Sequence, residues 1–240
     1  MSGHAPKKIA HSPLAPEPDF HWRGGEITRL EAFSDVVFGF AITLLVVSLE
    51  VPKSVPELMA ALRGFVPFAA CFAQVVMIWL QHYKFSRRFG LQDPWTIFLT
   101  MVLLFLVLFY VYPLKFVFTE LFNELTGAGS AMDAHQASVV MRIYGIGFAA
   151  VFFLFALLYE HAYRLRSALD LNAVETLITR SSVIECAGMT VIGLLSFAIA
   201  FVNPAWAGLI FFLIGPFYGV TGTLVGKKLR RLTSRERPAH

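Results

Sequence analysis

Ionisable side chains inside an apolar run are where a sequence like this one could do chemistry. Each costs about 3 kcal/mol in hydrocarbon unless it is paired or hydrated. The segment Arg29-Leu30-Glu31-Ala32-Phe33-Ser34-Asp35 carries three such charges into a block, 27–49, that is otherwise apolar. At 100° per residue, Arg29, Val36, Phe40, Thr43, Val47 and Glu50 fall on one helical stripe. That stripe is charged at both ends and apolar in the middle, with a single hydroxyl. Such a face could line a narrow, dewetting constriction between charged mouths. It could equally belong to an interface helix whose ends reach the lipid headgroups, and spacing alone leaves both readings open.

Other chemistries find little support. The seven histidines (His4, His11, His21, His82, His135, His161, His240) form no HxxxH or HxxH pair, and no GxSxG, P-loop or dinucleotide glycine pattern is present. Cys71 and Cys186 are far apart within apolar runs and read as packing residues, with neither metal nor disulfide spacing. No enzyme, metal or cofactor is expected.

The elements that must position the charged stripe are helices. Hydrophobic residues make up 57% of the 240-residue chain and charged residues only 15%, against about 25% charge in an average soluble domain. The excess is concentrated in six blocks at 27–49, 62–83, 94–118, 138–159, 183–202 and 205–225. Each is close to the ~20 residues needed to cross a bilayer core. Pro113 is expected to bend the outer end of the third, and Asn203-Pro204 turns the fifth into the sixth as a tight hairpin. The fold class is therefore an all-α integral membrane protein of six transmembrane helices. A proline-rich flexible tail occupies 1–26, the membrane domain 27–225, and a basic tail 226–240.

Basic residues set the orientation. Sixteen of the twenty lysines and arginines lie on the side holding both termini; only Lys53, Arg63, Lys115 and Arg142 lie on the other. Cytoplasmic loops carry this excess, so both termini are expected in the cytoplasm of a multi-pass cell-membrane protein. The net charge of +4 then needs no nucleic-acid partner; the C-terminal basic run suits anionic membrane lipid.

Arg29-xxx-Phe33-Ser34-Asp35, followed by Val37-Phe38-Gly39-Phe40-Ala41-Ile42-Thr43-Leu44-Leu45-Val46, resembles the first-helix signature of the prokaryotic transmembrane protein 175 family of potassium channels. Trp79-Leu80-Gln81-His82-Tyr83-Lys84-Phe85 resembles that family's second-helix ending. The resemblance spans 27–225, and the third helix is a looser match. It implies a homotetramer with no re-entrant selectivity loop, the first helices surrounding a pore through which potassium ions pass. Carried over by position, Phe40 is the gate ring, Thr43 the threonine ring that contributes to selectivity, and Val47 a second apolar ring.

Arg29, Ser34, Asp35, Trp79 and His82 are expected to form a polar network that positions the first helix, because a buried carboxylate is tolerable only beside a cation and donors. Phe33 completes the motif. The chain departs from the family at Phe40, usually isoleucine or leucine, and at Gly39, usually alanine. A phenyl ring is wider and flatter and plugs the axis more completely, while Gly39 gives it room to move. Gly215-xxx-Gly219 and Gly222-xxx-Gly226 suit close helix approach within or between subunits. The competing functions are a secondary transporter, which would want paired broken helices and mid-membrane polar groups, and a non-conducting membrane protein of the same fold.

The charge bias yields a direct check of topology. Cysteines introduced by Ser130→Cys and Ser234→Cys should label from outside and inside respectively in intact cells. Labelling of both from one side would refute the six-span arrangement.

Overall fold

The computed structural model describes residues 20–47, 53–127 and 132–236. Its helices are α1 (Arg29–Val47), α2 (Val55–Arg63), α3 (Phe65–Phe89), α4 (Pro94–Leu125), α5 (Ala134–Arg164), α6 (Ala173–Ile199), α7 (Pro204–Leu209) and α8 (Ile214–Glu236), with a 3₁₀ turn at Ile210–Leu213. Among the described residues six stretches are long and apolar enough to cross a membrane: α1, α3, α4, α5, α6 and the run Pro204–Leu232.

α5 and α6 begin ahead of their apolar blocks because their first turns are capped by polar residues that a hydropathy window discounts. Asn172 and Glu175 form a reciprocal capping box that starts α6 ten residues ahead of the expected block. Asp133 and Gln136 do the same for α5, which begins at Ala134. Asp93 caps α4 through the Trp95 and Thr96 amides and accepts from the Thr96 hydroxyl at 2.6 Å. It also meets His161 Nε2 of α5 at 3.0 Å. Partial burial opposes the Asp93 charge, but the Thr96 hydroxyl and amide and His161 outweigh it and hold the carboxyl below its ordinary range.

Pro113 lies inside a continuous α4. The last span is instead interrupted at its 3₁₀ turn. Pro216 has no amide proton to give the Phe212 carbonyl, so the α-helical ladder cannot close across this point.

The core sits where α4 packs against α1, α3 and α5, with Leu103, Leu114, Phe155 and Leu158 fully enclosed. α5 and α6 make the most extensive helix pair. A Cβ on Gly145 would lie 2.9 Å from the Phe197 amide nitrogen, and one on Gly193 would lie 2.8 Å from that of Ala149. Two glycines thus bring the backbones into contact. The glycines singled out in α8 play no such part among the described residues: none lies within 4 Å of a Cβ built at 215, 219, 222 or 226.

Part of the expected tail lies against α3, with Phe20 and Gly24 buried. Phe20 is buried edge-on against Phe89 with ring centroids 5.7 Å apart, and the Arg23 and Gly24 amides donate to the Arg88 and Arg87 carbonyls at the end of α3. The helix of the last span also continues through the expected basic tail as far as Glu236.

Candidate functional site

α1 is a helix with two unlike faces. Glu31, Ser34, Phe38, Ala41 and Leu45 recur at three- and four-residue steps and are all buried on the side that meets α3 and α4. On the opposite side Val36 is 70% exposed, Phe40 58% and Val47 72%, and Thr43 is exposed with them. The structure therefore places the four described mid-stripe residues on one open face. Glu50, the stripe's outer end, lies outside the described residues. Apolar side chains also cover the outer faces of the other helices, so exposure alone does not distinguish α1. On this face Thr43 supplies one hydroxyl, and polar groups lie at its base.

The Thr43 hydroxyl donates to the Gly39 carbonyl at 2.9 Å. Its proton is thereby committed to the backbone, and the lone pairs of Oγ1 remain to accept. On an outward face, this is a group suited to a cation or to a water carrying one.

At the basic end of the helix the Trp79 indole donates to Asp35 Oδ1 at 2.7 Å. Ser34 is buried with its hydroxyl donated to the Leu30 carbonyl at 2.7 Å. His82 is buried with its ring 6.0 Å from that of Phe38. Phe33 is half exposed on the open side. Asp35, Trp79, Ser34 and His82 thus share one corner between α1 and α3. Arg29 stands apart: it is exposed and makes no ion pair among the described residues. Six residues on a helix turn through 600°, so Arg29 and Asp35 point to different sides, and the indole takes the place expected of the guanidinium.

Two members of this corner escaped the sequence. Glu31 is buried, its amide bonded to the Thr28 hydroxyl at 3.1 Å, and Arg87 of α3 approaches its carboxylate at 3.9 Å. Arg87 also reaches the Gly25 carbonyl at 3.4 Å and stands over the Trp22 ring at 5.9 Å. The available signal was the aromatic-basic run Phe20-His21-Trp22-Arg23, too polar for a span and too aromatic for a solvated tail. Among the described residues no three His, Cys, Asp or Glu side chains converge as metal ligands.

A protein of Marivirga tractuosa named as a potassium channel is 39% identical over 244 residues, covering 94% of this chain and 98% of its own. The family described as endosomal/lysosomal potassium channel TMEM175 matches residues 29–110, from α1 into α4. The chain belongs to the TMEM175 family. A crystal structure of a variant of the potassium channel MtTMEM175, bound to a nanobody fusion, superposes with a TM-score of 0.77 at 38% identity. That match covers 89% of this chain and 99% of the other. The lysosomal potassium-selective channel TMEM175 homolog from Chamaesiphon minutus superposes with a TM-score of 0.57 at 25% identity, over 80% of this chain and 95% of its own. These relatives are potassium channels rather than enzymes, and this chain is a multi-pass membrane protein with six membrane-capable helices among its described residues.

The Asp35–Trp79 bond links α1 to α3 and joins a charged acceptor to a neutral donor, a class worth about 1.5–3 kcal/mol. Asp35→Ala and Trp79→Phe should each lower the thermal midpoint of the detergent-solubilised protein. The double variant should lose little more than either single one, since both remove the same contact. Unchanged stability in D35A would show that the carboxylate does not hold the helix.

Proposed function

We propose that the protein is a potassium-permeable channel, a homotetramer in the cell membrane with cytoplasmic termini, whose pore is lined by the open face of α1. The observation that carries this reading is the division of α1: one face is engaged by its own subunit, while Val36, Phe40, Thr43 and Val47 are turned away from it. In a family whose relatives are potassium channels, that uncovered face needs an occupant, and copies of itself around an aqueous axis provide one.

Phe40 forms the gate in this reading. A potassium ion passing a ring of phenyl groups must shed hydration water and finds no carbonyl or carboxylate to replace it, so the gap stays dry and closed without a lid. Thr43 follows one turn along, its oxygens aimed outward because the hydroxyl proton is held by Gly39. Val47 closes a second apolar ring. Seven residues of helix set these three layers within about 10 Å, a short constriction in a hydrocarbon core of roughly 30 Å. Selection falls to side-chain layers, with no P-loop filter. Asp35, Ser34, Trp79 and His82 hold the lining helix in place, and Arg29 and Phe33 extend its inner end toward neighbouring copies.

A transporter built on inverted repeats would want interruptions at matching positions in its two halves. Among the described residues only the last span is interrupted, while α4 runs unbroken through Pro113.

Phe40→Ala should widen and wet the gap and raise the leak current of reconstituted protein. Phe40→Asn should wet it with less gain in width. Thr43→Ala should leave conductance largely intact while weakening discrimination between potassium and sodium. Leu45→Ala, on the packed face, should cost stability on the scale of ~2–5 kcal/mol for a core deletion and leave unitary conductance alone. Equal effects of F40A and L45A on current, or none from either, would remove α1 from the pore.

A further inference from the structure

The strap that leads into α1 is tied to α6 by a saturated ion pair. Arg23 donates through every N–H it has: Nε to the Leu169 carbonyl at 2.6 Å, Nη1 to the His21 carbonyl at 2.8 Å and Glu175 Oε1 at 3.1 Å, and Nη2 to the Asp170 carbonyl at 2.9 Å and Glu175 Oε2 at 2.8 Å. Glu175 is equally full. Its side chain is 1% exposed; Oε1 also accepts from the His21 amide at 2.8 Å and Oε2 from the Asn172 amide at 2.9 Å. A guanidinium has five donors in a fixed fork and a carboxylate about four acceptor positions, so neither partner has anything left over.

The chain beyond this knot has little freedom before α1 begins. The Gly24 amide donates to the Arg87 carbonyl at 3.0 Å, and a Cβ at Gly24 would lie 3.0 Å from Arg87 Cα, so the strap lies directly on α3. Trp22 packs edge-on to Tyr83 with centroids 6.2 Å apart, and Tyr83 in turn packs on Trp79, the residue that holds Asp35. Arg87 links the Gly25 carbonyl to Glu31 on the packed face of α1. An unbroken series of contacts thus runs from the start of α6, through the strap and the end of α3, to the base of the lining helix.

We infer that the Arg23–Glu175 pair is a positioning clamp: it fixes the entry of α1 relative to α6, and thereby sets how readily the gate opens without touching the ion. The inference rests on the reading that α1 lines the pore. A lysine at 23 would keep the charge but lose the fork that spans the carboxylate and three carbonyls together.

R23A would leave Glu175 buried and unpaired and is liable to misfold, so R23K and E175Q are the informative variants. Each is reconstituted as full-length protein and recorded at the single-channel level. Each is also spin-labelled through Ile27→Cys, a position 70% exposed between clamp and helix. The expected result is a more mobile nitroxide spectrum and a change of about fivefold or more in open probability, with unitary conductance and ion selectivity unchanged. An unaltered spectrum, an unaltered open probability, or a change in conductance in place of open probability would overturn the clamp. Loss of the Phe40→Ala effect is a separate result that overturns the pore assignment, and the Ile27 spectrum tests the clamp's hold on the strap in either case.

Discussion

A helix in lipid gains nothing by hiding apolar side chains from lipid tails that are equally apolar, so its position is set by fit and by polar contacts. α1 satisfies both on one face. Phe38, Ala41 and Leu45 are buried on the side that meets α3 and α4, and Glu31 and the neighbouring Asp35 make polar contacts to α3 at the basic end. Everything proposed for the opposite face depends on this seating. If α1 could rotate, Phe40 and Thr43 would not keep a common direction, and no layered constriction could form.

The seating is strongest at the basic end. Three ties act there: the Trp79 indole on Asp35, Arg87 near Glu31, and the strap knotted to Glu175 of α6. Further along, the inward face is apolar, with Phe38, Ala41 and Leu45 buried. The polar anchors lie below Phe40 in the chain, so adjustment of the helix at Phe40 and beyond need not break them. Gly39 stands at the boundary between the two regimes with nothing within 4 Å of a built Cβ.

Much of the fold was legible because apolar length is a direct physical requirement for crossing a bilayer. The six blocks all reappear as membrane-capable helices. Their ends were legible only in part: capping pairs such as Asn172 with Glu175 are local and polar, so hydropathy passes over them. The stripe on α1 was legible because a period of 3.6 residues fixes which side chains share a face, and its described members Arg29, Val36, Phe40, Thr43 and Val47 are all exposed. The partner of Asp35 was not. Proximity in sequence suggested Arg29, whereas the bond comes from Trp79, 44 residues away. The clamp was hidden for the same reason, as Arg23 and Glu175 are separated by 152 residues. Likewise the glycines that carry the α5–α6 contact, Gly145 and Gly193, lie in no repeating motif, while the regular spacing in α8 drew notice and meets nothing within the subunit.

The central claim is that the open face of α1 meets an aqueous ion path, and a cysteine scan along the helix tests it most directly. Cys71 and Cys186 are buried, which keeps the background low. Single cysteines at 36, 38, 40, 41, 43, 45 and 47 would be exposed to a charged, water-soluble thiol reagent during current recording in planar bilayers. The account predicts modification of the current at 36, 40, 43 and 47 and none at 38, 41 and 45. Modification at the packed positions, or no dependence on helical face, would contradict it.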